Sequence, residues 1–408
     1  MIESITLLGS SSGRNAGDAA LIGTIMDSID AACGQQLLYE IPTMRPDFIW
    51  KTYSNRVRAV PILPWNLSAK LLGVPTYRSL LRTDLSLVFD ATLFDRSLYN
   101  PFFNFLSSYS LLLPSAKRKG KKLGCFNVSA GPVSTPMGRR MLREVAELMD
   151  FITVRDEGSM RVLQEVGVDT SHVLVTADAA LNTRQAPEER VDEILRELGL
   201  DPEQPILGVN INAYRDTWAT MDREPMQHVH FMAVYAEAIT RALRDIGENV
   251  LFVSTQHLDN KIAQELIART RPAKKAAFLS NAQYSHTEIK GVLSRLSLLV
   301  GMRLHCLILG SSAHTPIVSL NYLPKVRHYV DSLGLGEYCM DFEDFHPDRF
   351  LSYILKGWEN RQQIRAVLQS RIPTLQREAN KSAELVAAMR AGADPLSFIE
   401  QLRVSKAG

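Results

Sequence analysis

The chain runs to 408 residues, too long for one ordinary hydrophobic core and sufficient for two. Its 46% hydrophobic and 22% charged residues exclude a disordered or fibrous chain. The 46 basic residues against 44 acidic leave a formal net charge of +2, so no global field points to nucleic acid as a partner.

The N-terminal MIESITLLGS enters a strand-like run directly, without a basic n-region or a cleavage site, and no signal peptide is expected. Ile5–Leu8 reads as a strand, Ala19–Ala32 as a helix and Gln36–Ile41 as a strand. Residues 42–82 hold several prolines and read as a mixture of helix and loop. Leu85–Phe89, Leu123–Asn127, Phe151–Val154 and Val173–Thr176 read as further buried strands, with helices at Met137–Met149 and Glu157–Val166. The apolar stretch Phe102–Leu113 is too short to span a bilayer, and a basic cluster, Lys117, Arg118, Lys119, Lys121 and Lys122, follows it. Cys33, Cys125, Cys306 and Cys339 are widely spaced with no Cys-x-x-Cys pair. Reduced thiols and a cytoplasmic setting are therefore expected, with neither a disulfide framework nor a zinc site.

After a crossover at residues 183–205, with Pro187 and a helix at Val191–Leu198, the pattern restarts. Strands are expected at Ile206–Ile211, Val250–Val253, Ala276–Leu279, Leu298–Val300 and Ile317–Leu320. Helices are expected at Phe231–Ile246, Asn260–Arg269, Thr287–Leu296 and Leu304–Ser311. Beyond Pro373 the sequence is polar and helical, at Thr374–Arg390 and again near Pro395–Arg403. Strands alternating with helices predict parallel sheets. The predicted architecture is α/β: two Rossmann-like doubly wound domains facing across a cleft. They span residues 1–185 and 186–372, with a helical tail over 373–408.

Ligands in such sheets bind beyond the carboxyl ends of the strands, and those ends are polar here. The strongest signal is Gly301-Met302-Arg303-Leu304-His305, where a strand hands over to a helix. Two potential cations at a helix N-terminus oppose the helix dipole unless an anion lies between them. The structural alternative pairs Arg303 with a carboxylate such as Asp178 and makes His305 an interior histidine. The second signal is the loop Gly9–Asp18, GSSSGRNAGD, which can bring backbone amides close to a phosphate or sugar. It is neither a P-loop nor a Gly-x-Gly-x-x-Gly fingerprint, and Asp18 also suits a helix N-cap. His228-x-His230 reads as solvated helix surface, and no tight metal-ligand cluster is present in the sequence.

Several of these residues together resemble the polysaccharide pyruvyl transferases. They are Asn15-x-Gly17-Asp18, Gly131-Pro132, Val154-Arg155-Asp156 with Ser159, and Asp178. The most specific part is Gly301-Met302-Arg303-Leu304-His305 followed by Pro316 and Tyr322-x-Pro324-Lys325-Val326. The resemblance covers roughly residues 5–335. It departs from the family pattern at Phe89-Asp90-Ala91-Thr92, where a glycine-rich turn is usual, and at Asp178-Ala179-Ala180, usually Asp-Pro-Ala. It implies a GT-B-like fold, phosphoenolpyruvate as donor co-substrate and a saccharide acceptor, lipid-linked in many members. It assigns the acceptor to the N-terminal domain and the donor to the C-terminal one.

Phosphoenolpyruvate joins a carboxylate and a phosphate on one small frame, which several cations would hold. Arg303, Lys325 and Arg155 are the expected donor-binding residues. His305 is the expected acid or base, since imidazole exchanges protons near neutral pH. Asn15, Gly17, Asp18, Asp178 and Tyr322 are expected on the acceptor side or in the loops around it. The scheme requires no metal and no cofactor beyond the co-substrate. Two other readings stand beside it: a GT-B glycosyltransferase using a nucleotide sugar, and a non-catalytic sugar-binding protein on the same scaffold. Phe102–Leu113 with the basic cluster also raises a peripheral contact with the inner face of a membrane, against a plainer reading as core helix and solvated turn. The sequence leaves the oligomeric state open.

Overall fold

The computed structural model describes residues 1–53, 56–62, 69–95, 105–213, 228–271 and 275–407. The chain divides into two compact units. One comprises Met1–Gly13, Leu21–Asn182 and Leu375–Gly408; the other comprises Arg14–Ala20 and Thr183–Thr374.

In the first unit the strands are β1 (Ser4–Leu8), β2 (Leu38–Thr43), β3 (Val57–Pro61), β4 (Leu85–Phe89), β5 (Lys122–Val128), β6 (Phe151–Val154) and β7 (Val173–Val175). The helices between them are α1 (Ala16–Cys33), α2 (Pro46–Tyr53), α3 (Ala69–Arg82), α4 (Leu106–Arg118), α5 (Pro136–Glu147) and α6 (Glu157–Glu165). All strand pairs are parallel, in the order β3-β2-β1-β4-β5-β6-β7. The order reverses between β1 and β4, as in a doubly wound sheet. Every residue of β4 and β6 is buried, which is why these strands are continuous apolar runs without alternation.

The second unit holds β8 (Ile206–Val209), β9 (Asn249–Ser254), β10 (Ala276–Ser280), β11 (Leu298–Gly301), β12 (Ile317–Asn321) and β13 (Cys339–Asp341). Its helices are α7 (Glu188–Glu197), α8 (His228–Ile246), α9 (Asn260–Arg269), α10 (His286–Ser294), α11 (Leu304–Ser312), α12 (Pro324–Ser332) and α13 (Pro347–Glu359). The sheet is again wholly parallel, ordered β10-β9-β8-β11-β12-β13, with its reversal between β8 and β11. The chain closes with α14 (Arg361–Arg390) and α15 (Pro395–Ala407). The two units are Rossmann-like doubly wound α/β folds, as the alternation of strand and helix predicts.

Two local expectations are corrected. Residues 42–82 are more regular than their prolines suggest: β3 forms there as an edge strand, where Pro61 removes no interior ladder bond. The tail helix does not begin after Pro373. That proline lies inside α14, whose buried residues Ile364, Leu368, Ile372, Ala379, Ala383 and Val386 give it a packed face on both sides of the interruption. The apolar half of the proposed membrane patch is divided between core and surface, with Leu111 of α4 exposed. Leu106, Tyr109, Leu113 and Ala116 of α4 lie in the core of the first unit, while Phe102–Asn104 fall outside the described residues. In the basic cluster, Lys117 pairs with Asp150 at 2.8 Å and the Lys121 ammonium donates to the Thr83 carbonyl at 3.1 Å.

A buried polar hub binds the later turns of α14 into the first unit. Asn127, at the end of β5, donates to the Ala379 carbonyl at 3.0 Å and accepts from the Thr176 hydroxyl at 2.8 Å and from Ser382. Among the described residues no helix is long and apolar enough to cross a membrane.

Candidate functional site

The reversal between β8 and β11 leaves a crevice at the carboxyl ends of these strands. β8 ends in Asn210 and Asn212, both buried, and β11 in Met302-Arg303, which opens α11. The Asn210 side chain stitches the two ends together. Its oxygen accepts from the backbone N–H of Met302 at 3.3 Å and of Arg303 at 2.9 Å, and its amide donates to the Val253 carbonyl at 2.9 Å. The turn that presents Arg303 and His305 is thus fixed by a neighbouring strand.

Arg303 does pair with a carboxylate, but with Asp259, not Asp178. Its Nε donates to Asp259 Oδ2 at 2.6 Å and its Nη2 to Oδ1 at 2.7 Å, a bidentate fork. Asp259 follows β9 in the short turn His257–Asp259 and is wholly buried; it also accepts from the Ala213 N–H at 2.9 Å. Burial works to lower the Arg303 pKa, but the hydrogen bonds and charge of Asp259 raise it above its ordinary value. Tyr322, just past β12, is hydrogen-bonded to Arg303 and Asn212. Burial pushes its phenol up, with Asp259 adding and Arg303 opposing, so Tyr322 is neutral at physiological pH. Lys325 lies in the first turn of α12, whose N-terminal Pro324 is preorganised for that position.

The Asn15–Asp18 loop is part of this same unit. Ala16 N–H donates to the Thr255 carbonyl at 2.8 Å, His257 N–H to the Arg14 carbonyl at 2.9 Å, and the Asn281 amide to Arg14 at 2.9 Å; Asn15 bridges Gln256. Asn15, not Asp18, caps the helix: its side-chain oxygen accepts from Gly17 N–H at 2.9 Å, and Asp18 falls in the first turn of α1. Gly17 lies against the imidazole of His305. A Cβ there would stand 2.2 Å from His305 Cγ and Nδ1, far inside van der Waals contact. Glycine is required at 17 because a ring occupies the space.

Asn15, Gly17, Asp18, Arg303, His305, Tyr322 and Lys325 therefore group in the second unit. Arg155 and Asp178 belong to the first, at the ends of β6 and β7. There they form a buried ion pair at 2.9 Å, the side chains 4% and 5% exposed, with Arg155 Nη2 lacking a hydrogen-bond partner among the described residues. Asp90 follows β4 at the reversal point of the first sheet, in the left-handed region at φ 69°. His228 pairs with Glu265 at 2.9 Å while His230 is exposed. Among the described residues no group of three His, Cys, Asp or Glu side chains is placed to hold a metal.

Sequence reasoning missed Asp259 as a site residue and left Asn210 among the generally polar strand ends. The signal for Asp259 is faint, a lone acid five residues past the end of β9, and only the sheet order brings it beside Arg303.

Comparison with known proteins bears on this arrangement. Amylovoran biosynthesis protein AmsJ of Erwinia amylovora is 22% identical over 413 residues, an overlap spanning 90% of this chain and 96% of AmsJ. Among solved structures, S. aureus MnaA bound to UDP aligns with a TM-score of 0.62 at 10% identity over 95% of each chain. UDP-GlcNAc 2-epimerase from Neisseria meningitidis aligns at 0.61 and 11% identity, over 96% of this chain and 100% of the epimerase. Anabaena HepE in complex with UDP aligns at 0.56 and 10% identity over the whole of both chains. These likenesses show a GT-B-like fold of two parallel-sheet α/β domains. Residues 15–324, from the Asn15 loop to the start of α12, match the polysaccharide pyruvyl transferase model, and the chain belongs to that family.

Proposed function

We propose that this transferase of polysaccharide biosynthesis moves a pyruvyl group from phosphoenolpyruvate to two hydroxyls of a saccharide, forming a cyclic ketal and releasing phosphate. The observation that carries the reading is Arg303-x-His305 at the reversal point of the second sheet, held by Asn210 and Asp259. Tyr322 joins Arg303, and Lys325 follows in the first turn of α12.

Arg303 and Lys325 supply charge for the donor's carboxylate and phosphate, with the first N–H groups of α11 and α12 adding to the field. His305 exchanges the protons. The enol CH₂ carbon gains a proton, and a sugar oxygen bonds to the adjacent carbon as its own proton leaves. The C–O bond to phosphate then breaks, and a second hydroxyl closes the ring and gives up its proton. The electrophilic carbon passes through a cationic state that needs no redox partner, and phosphate carries away the electron pair.

We place the reaction in the cytoplasm, consistent with free thiols at Cys33, Cys125, Cys306 and Cys339, and take a lipid-linked saccharide as acceptor. Peripheral membrane contact would rest on the basic run at Lys117–Lys122 with the exposed Leu111 beside it. Phosphate release from phosphoenolpyruvate, assayed against candidate saccharides with UDP-sugars in parallel, tests the proposal. Acceptor-dependent phosphate release supports it. Release of UDP with none of phosphate supports the glycosyltransferase reading, and no turnover with either supports a binding protein.

A further inference from the structure

The Asp259–Arg303 pair defines a role that neither the motif nor the donor reading requires. A guanidinium has five N–H donors in one plane. Two, on Nε and Nη2, are taken by the carboxylate of Asp259, at 2.6 and 2.7 Å. The others, on Nη1 and the second of Nη2, are not committed to Asp259. Asp259 is itself fixed. It has no exposed surface, its Oδ1 also accepts from Ala213 N–H, and it follows a strand whose end is bonded to the Asn15 loop. The Arg303 side chain is 22% exposed, against none for its partner.

We infer that Asp259 is a positioning residue: it holds Arg303 by one edge, so that a ligand meets a guanidinium of fixed plane and direction. With one edge taken by Asp259, the part of Arg303 in recognition is the fixed direction of its remaining N–H groups. A fixed fork suits a planar or tetrahedral oxyanion, carboxylate or phosphate. This rests on the donor reading above for the identity of the anion, but not for the geometry.

The test is a double-mutant cycle on purified full-length protein, read as kcat and KM for phosphoenolpyruvate. In Asp259→Asn the amide NH₂ confronts the arginine N–H groups and the fork breaks. KM is expected to rise at least about tenfold, as a donor group shifted by ~1 Å commonly loses on the order of 10²-fold in efficiency. In an Arg303→Ala background the same change is expected to alter kcat/KM less than about twofold, because its target is gone. A merely structural Asp259 would lower both backgrounds equally, and that result, or wild-type KM in Asp259→Asn, overturns the inference. Arg303→Lys stands apart from any folding defect at 259: it keeps the charge and loses the fork, and wild-type KM there also overturns it. Failure of the donor reading looks different, since the wild type then releases no phosphate from phosphoenolpyruvate. In that event calorimetry with inorganic phosphate decides, with weaker binding by Asp259→Asn supporting the inference and equal binding refuting it.

Discussion

Gly17→Ala adds a single methyl group, and two effects of opposite sign compete. Gly17 is the second residue of α1, where intrinsic propensity alone favours alanine by up to about 1 kcal/mol. Against this, the new Cβ would lie 2.2 Å from His305 Cγ and Nδ1 and 2.4 Å from His305 Cβ. Carbon atoms in contact sit at about 3.5–4.0 Å, so the ring or the helix start must yield by more than ~1 Å. Overpacking of this kind costs about 1–3 kcal/mol, which outweighs the propensity gain. The stiffer element decides where the strain goes. The helix start is anchored by Ala16 to Thr255 and by Asn15 to Gly17, so the imidazole moves. A proton-transfer group displaced by ~1 Å is expected to lose on the order of 10²-fold in turnover. The assays are a thermal melt and acceptor-dependent phosphate release. His305→Ala would not relieve the clash, because the His305 Cβ is itself within 2.4 Å. His305→Gly would, and in that background Gly17→Ala should cost no stability. A Gly17→Ala protein with wild-type melting and wild-type turnover would refute the reasoning.

Four further outcomes are expected. His305→Ala should abolish phosphate release while leaving the circular dichroism spectrum and melting temperature close to wild type; a folded variant with near-normal turnover would make His305 structural. Arg303→Ala and Lys325→Ala should each weaken donor binding by about 1.5–3 kcal/mol, measured as KM or by calorimetry with phosphoenolpyruvate. Asp178→Ala should destabilise the first unit by about 3 kcal/mol in chemical denaturation, because it removes the closer partner of the buried Arg155 and leaves only Asp156, at 3.7 Å. Lys290, buried in α10 and donating to the Thr183 carbonyl at 2.6 Å, has its pKa lowered by burial from 10.5 to about 8. Its folded pKa lies below its unfolded one, so between pH 8 and 10.5 the unfolded chain holds more protons and stability rises with pH. Lys290→Met should therefore gain most over wild type below pH 8, by up to about 3 kcal/mol, with the advantage fading towards pH 10.5; a pH-independent difference in melting temperature would contradict this.

The strand pattern was legible because parallel strands buried on both faces are short, uninterrupted apolar runs, and Leu85–Phe89 and Phe151–Val154 match to the residue. The three-residue strand Cys339–Asp341 was not, because an edge strand of that length carries no periodicity. Pro373 misled for a different reason. Proline breaks an isolated helix, but α14 gains enough from its buried face to continue through one lost hydrogen bond.

The site divides along the same line. Arg303 and His305 stood out because cations at a helix N-terminus run against the dipole, a conflict visible within five residues. What sets their positions is not local. Asn210 reaches Arg303 across 93 positions and Asp259 across 44, and Gly17 underlies His305 across 288 (305 less 17). Each connection exists only because β8 sits between β9 and β11 while the Asn15 loop is bonded to the end of β9. Asp178, the acid that sequence reasoning placed near Arg303, is instead neutralised by Arg155 at the end of a strand in the other sheet. A motif thus identifies candidate groups, whereas their orientation depends on the order of strands in the sheet. That is why the glycine of Asn15-x-Gly17 and the histidine of Arg303-x-His305 behave as two halves of one contact, and why a methyl group at the first should be felt at the second.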